Sequence, residues 1–80
     1  MTDLSVRLQD KKILIEQCLR ETNLMLYNQE VNIRVGKKSE NKEMVDGATA
    51  KMVKLEKQKD AYQDILNELE EEIKKGAKSE

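Results

Sequence analysis

The chain has 80 residues, of which 38% are apolar and 39% are charged, and its formal net charge is −1. A chain this short forms at most one domain with a thin core, and a balanced charge excludes a strong whole-chain attraction for nucleic acid. With no histidine and one cysteine, it lacks the residues for an ordinary zinc site or for a Ser–His–Asp or Cys–His nucleophile. We therefore predict that it is not an enzyme and needs no cofactor or small-molecule substrate.

The first predicted element is a helix over about residues 3–28, with Thr2 as its N-cap. One apolar arc predicts the face that packs in the core, with Thr22 near its centre and Leu14 at its edge. The residues of this arc are Leu4, Leu8, Ile15, Cys18, Leu19, Met25 and Leu26.

A second apolar stripe lies on roughly the opposite side of the first helix. It consists of Val6, Ile13 and Leu24, and Val31 would extend it if the helix ran that far. Because a two-helix monomer buries only one face of each helix well, we interpret this stripe as a protein-interaction surface. Scattered exposed aliphatic side chains are the plainer interpretation, since they occur on most surfaces.

Residues 30–47 are where the helical pattern breaks. Val31, Ile33 and Val35 alternate with polar residues, which is the period of a half-buried strand, and a lysine-rich turn follows. We predict a small β-hairpin over about residues 31–45. The alternative is a plain loop at residues 31–38 followed by a longer second helix capped by Ser39, which would place Gly47 inside that helix.

The second helix is predicted over about residues 47–75, with Asp46 as N-cap and a frayed tail at residues 76–80. A heptad pattern places two sets of residues on one seam. The sets are Met52, Lys59, Leu66 and Ile73, and Ala48, Leu55, Tyr62 and Leu69. Lys59 is the one polar member; its side chain either extends past the seam edge to water or fixes the register of the two helices.

Four basic residues are candidates for contact with nucleic acid or a partner protein: Arg34, Lys37, Lys38 and Lys42. A basic turn can touch a phosphate backbone, but Glu40 and Glu43 dilute the charge and no aromatic residues alternate with it. A solubilising turn is the plainer interpretation.

The longest apolar runs have three residues, so no transmembrane segment is expected. The single Cys18 forms no disulfide within the chain, and we find no signal peptide in the sequence. These features predict a reducing, cytoplasmic setting.

The order of helix, hairpin and helix resembles the small head–tail joining (W-type head completion) proteins of tailed phages. Residues 28–36 match the family's first strand and turn, and residues 60–70 match its second-helix pattern L-x-x-x-I-x-x-L-E. The chain departs from the family in its long lysine-rich turn, in its longer second helix, and in having Asn28 and Gln29 where a glycine often follows the first helix.

The resemblance implies a mainly α fold, with two long antiparallel helices joined by a small β-hairpin. It also implies a structural subunit that oligomerises on a portal-type platform, in the host cytoplasm or the virion. Its partners would be copies of itself and that larger assembly. The alternative is a coiled-coil helical hairpin that acts as an adaptor, chaperone-like or inhibitor module and binds a protein through the stripe.

Overall fold

Two helices of equal length account for nearly the whole chain. The computed structural model describes the backbone of residues 2–78 and the side chains of residues 6–76. Helix α1 spans Thr2–Lys38, helix α2 spans Lys42–Lys78, and each has 37 residues. At 1.5 Å per residue such a helix is about 55 Å long. The overall extents of 61 × 14 × 12 Å are those of two antiparallel helices lying side by side.

The predicted β-hairpin at residues 31–45 is wrong. Residues 2–78 contain no strand, and α1 continues through Val31, Ile33 and Val35 to Lys38. Ile33 is half-buried, whereas Val31 and Val35 share an exposed side because they are four residues apart. Three alternating β-branched residues fit either period, and the burial of Ile33 against α2 favours the helix.

The face of α1 that packs on α2 follows a heptad repeat along the helix. Its members are Leu8, Lys12, Ile15, Leu19, Thr22, Leu26, Gln29, Ile33 and Gly36, all buried or half-buried. The predicted face includes the apolar members up to Leu26, together with the half-buried Cys18. Met25, predicted to be in the core, is instead 51% exposed. The predicted face also stops too early, because the helix was predicted to end near residue 28.

The heptad predicted for α2 is confirmed by the burial of its side chains. Ala48 and Leu69 are buried. Met52, Leu55, Tyr62, Leu66 and Ile73 are half-buried, and Val45 extends the same face by one turn. Lys59 is exposed, in agreement with a side chain that extends past the edge of the seam.

Polar residues interrupt the seam without leaving buried polar groups unsatisfied. Thr22 is only 3% exposed, and its hydroxyl donates to the Cys18 carbonyl at 2.8 Å. The buried Gln29 accepts from the Asn32 side chain at 3.3 Å. Among the described side chains, no buried nitrogen or oxygen lacks a hydrogen-bond partner. These residues replace apolar contacts in the seam and so keep the core of the hairpin thin.

The connection between the helices is only three residues long. The Asn41 amide donates to the Gly36 carbonyl at 2.8 Å and the Glu40 amide to the Lys37 carbonyl at 3.3 Å, the paired bonds of a Schellman motif. Asn41 then caps α2, because its side-chain oxygen accepts from the Met44 amide at 3.1 Å. The predicted caps Asp46 and Ser39 are therefore wrong; Asp46 lies inside α2, and the Ser39 hydroxyl donates to the Val35 carbonyl.

Replacing Glu40 with glycine is expected to stabilise the hairpin. Glu40 has a φ of 57°, the left-handed conformation in which a side chain is strained and glycine is not. Glu40→Gly should raise the free energy of unfolding by about 1 kcal/mol in a urea titration. Glu40→Ala is the control, because it removes the charge but keeps the strained side chain. Equal stabilisation by both variants would show that charge rather than conformation is responsible.

The open end of the hairpin is partly outside the described residues. Residues 76–78, predicted as part of a frayed tail, belong to α2, whereas residues 79 and 80 lie outside the described part of the chain. The side chain of Leu4, predicted to be in the core, is also outside it. Near this end, Lys12 and Glu70 form an ion pair of 3.7 Å between the helices. Both side chains are partly exposed, so the pair contributes little stability.

Candidate interaction surface

An apolar stripe runs along the side of α1 that faces away from α2. We call it the outer stripe: Val6, Ile13, Leu24, Tyr27, Val31 and Val35, which are 47–60% exposed. Leu24 and Val31 each precede a seam residue, Leu26 or Ile33, by two positions. Two positions correspond to about 200° around a helix. The outer stripe is therefore nearly opposite the seam, and α1 is apolar on two sides.

The outer side of α2 has a different character. Its exposed residues at helical spacing are mostly charged: Asp46, Lys57, Asp64, Glu68, Glu71 and Lys75. Ten large apolar side chains among residues 6–76 are classed as exposed, and only Val53 and Ile65 of these belong to α2. Eight of the ten therefore lie on α1. The unpartnered apolar surface is a property of one helix rather than of the hairpin as a whole.

The hairpin also exposes more surface than a compact protein of its mass. Its accessible area is 6528 Å² for 9.3 kDa. A compact monomer of this mass exposes about 5,000 Å². The apolar residues below 9% exposure are Leu26, Ala48 and Leu69, and no large side chain among residues 6–76 is below 2%. The excess area is larger than the roughly 800 Å² that each partner buries in a standard protein interface.

The structure adds Tyr27, Val31 and Val35 to the predicted surface residues Val6, Ile13 and Leu24. The signal was present in the sequence, because Leu24, Tyr27, Val31 and Val35 are spaced by three, four and four residues, as on one helix face. Treating residues 31–35 as a strand hid this spacing. Tyr27 contributes an exposed aromatic ring, which is a residue type enriched among the energetically dominant positions of interfaces.

The predicted basic residues lie at the loop end of the hairpin. Arg34, Lys37 and Lys38 are exposed in the last turns of α1, and Lys42 is exposed at the first residue of α2. Lys37 and Lys38 also have a local role, because cations stabilise the negative end of the helix dipole. Contact of this cluster with nucleic acid or a partner stays a prediction.

Two shallow grooves run beside the seam. The first is lined by Asn23, Leu26, Tyr27, Glu30, Met52, Glu56, Lys59 and Asp60. Lys59 therefore reaches water beside three carboxylates, which accounts for a charged residue at a seam position. The second groove is lined by Met25, Asn28, Gln29, Lys51, Lys54 and Leu55. Both are open to solvent, and no group of three or more His, Cys, Asp and Glu in the described part of the chain could hold a metal ion.

Comparisons with protein-family models, with curated proteins and with solved structures gave no match to this chain. Within residues 2–78, neither helix combines the length and the apolar character needed to cross a membrane. The function is therefore inferred from the surface of the hairpin itself.

Proposed function

We propose that this chain is a protein-interaction module, a helical hairpin that presents the outer stripe of α1 to a helix of another polypeptide. The observation that carries the proposal is the asymmetry between the helices. Eight of the ten exposed large apolar side chains lie on α1, and the outer side of α2 is charged. A helix with two apolar sides is typical of the middle element of a bundle, where each side packs on a different helix.

A helical protein partner fits the outer stripe better than a membrane surface does. Helices that lie on membranes combine a broad apolar face with a polar face rich in lysine and arginine. The outer stripe is narrow and interrupted by Gln17 and Arg20, and residues beside it carry charges of both signs, such as Glu16 and Arg34. Narrow apolar seams with charged flanks are how helices recognise other helices.

The connector hypothesis drew its structural support from the two strands of the phage family. The corresponding residues here are helical, so that support is lost, and nothing in the described residues favours a ring on a portal over a simpler module. The basic loop end can supply additional contacts to whichever partner α1 binds.

Photo-crosslinking in the cells that produce the protein tests this proposal. A benzoylphenylalanine at position 27 lies within the outer stripe, and the same residue at position 57 lies on the charged side of α2. We expect a discrete protein adduct from position 27 and a much smaller yield from position 57. The mass of the adduct reports which chain was bound. No adduct at position 27, or equal yields at the two positions, would contradict the proposal.

A further inference from the structure

We propose that the partner of the outer stripe is a second copy of this chain, packed antiparallel so that two α1 helices lie between two α2 helices. This inference rests on the proposed function and specifies its partner. Three observations support it: the spacing of the apolar residues, the distribution of charge along the hairpin, and the area available for burial.

The spacing of the outer stripe is symmetric. Its residues Val6, Ile13, Leu24 and Val31 are separated by seven, eleven and seven positions. In an antiparallel pair, residues whose numbers add to a constant face each other, and here the constant 37 matches all four. Val6 of one copy then meets Val31 of the other, and Ile13 meets Leu24. Each match occurs twice about the two-fold axis, as a self-complementary interface requires.

The same alignment also matches the polar residues between these pairs. It places Gln17 opposite Arg20 of the second copy, and Asp10 opposite Tyr27. The Gln17 carbonyl can accept from a guanidinium, and the Asp10 carboxylate can accept from a phenol. The polar gap in the middle of the outer stripe is therefore compatible with burial in this pairing.

The hairpin has opposite charges at its two ends. Its loop half, residues 20–59, contains nine Lys and Arg and six Asp and Glu, a net charge of +3. The remaining residues contain six Lys and Arg and ten Asp and Glu, a net charge of −4. An in-register parallel pair also matches each apolar residue, with itself, but it brings like-charged ends together and places Arg20 against Arg20. The antiparallel pair brings the loop half of each copy beside the open half of the other.

The exposed surface is sufficient for such a dimer. The hairpin exposes 6528 Å², about 1,500 Å² more than a compact monomer of its mass. A standard interface buries roughly 800 Å² on each partner. A second copy lying along α1 can bury an area of this size without rearrangement of the hairpin.

Sedimentation equilibrium of purified protein tests whether the second copy binds. We expect a dimer, and Ile13→Glu combined with Leu24→Glu should weaken it by more than about 100-fold, because four carboxylates would then meet at the interface. The helical circular dichroism of this variant should be retained. Val53→Glu is the matched control, since Val53 is 52% exposed on α2 and should leave the dimer unchanged. Monomeric parent protein at about 100 µM, or equal weakening by Val53→Glu, would overturn the inference.

Disulfide trapping tests the orientation and does not depend on the glutamate variants folding. In a Cys18→Ser background, unlabelled Val6→Cys is mixed with ¹⁵N-labelled Val31→Cys under mild oxidation. Mass spectrometry should find mainly mixed-label dimers, because only an antiparallel pair brings these positions within disulfide distance. Dimers of uniform label would indicate parallel pairing and overturn the inference. A monomeric chain whose position-27 crosslinker captures a different protein would also overturn it, while leaving the proposed function intact.

Discussion

Leu26→Ala is expected to lower the free energy of unfolding of the hairpin by about 2–3 kcal/mol, the usual cost of truncating a buried leucine. Leu26 is 7% exposed and lies in the seam between the buried Thr22 and Gln29. Its neighbours in the seam are therefore polar, and they cannot replace the lost apolar contacts. A small domain has roughly 5 kcal/mol of stability in total. The variant should consequently lose about half of it, measured by urea titration of the helical circular dichroism.

Leu14→Ala is the matched control for Leu26→Ala. Leu14 lies on the same helix, is 57% exposed, and belongs to neither the seam nor the outer stripe. Its truncation should change the free energy of unfolding by no more than about 0.5 kcal/mol. Similar losses for the two variants would show that the seam of α1 is not where the structure places it.

The second large effect is expected at Gly36, where α1 and α2 approach each other most closely beside the loop. A Cβ atom on Gly36 would lie 2.7 Å from Cγ2 of Val45 and 3.2 Å from both the Val45 nitrogen and the Asn41 carbonyl oxygen. The side chain of Val45 would have to move, and the start of α2 would have to shift with it. Gly36→Ala should therefore lower the free energy of unfolding by about 1 kcal/mol, even though alanine is the better helix former.

Gly47→Ala isolates this packing effect. Gly47 lies inside α2, is exposed, and has nothing within 4 Å of an added Cβ. The substitution should raise the free energy of unfolding by about 1 kcal/mol through helix propensity alone. Because both variants gain the same propensity, their difference of about 2 kcal/mol reports the close approach at Gly36. If Gly36→Ala stabilises as much as Gly47→Ala, the helices are further apart at the loop than the structure indicates.

The glycines also show where sequence reasoning failed. Gly36 was assigned to a turn, and Gly47 was taken as evidence that α2 begins near residue 47. In the structure Gly36 is a seam residue and Gly47 occupies an exposed helical position. A glycine in a helix costs about 1 kcal/mol, which the packing of a long helix easily offsets. Neither residue alone marks the end of a helix, and the turn itself lies at Ser39–Asn41.

The seam of α2 and the apolar residues Val6, Ile13 and Leu24 on the outer side of α1 could be located from the sequence alone. Both follow from helical periodicity, which is a property of the chain itself and persists over several turns. The paths of Val31 to Val35 and of Glu43 to Val45 could not be located in this way. Short β-branched and mixed segments fit a strand or a helix equally well, and contacts with the other helix decide between them. Ile33 and Val45 adopt helix because each is half-buried in the seam formed with the other helix, and only the tertiary structure contains that pairing.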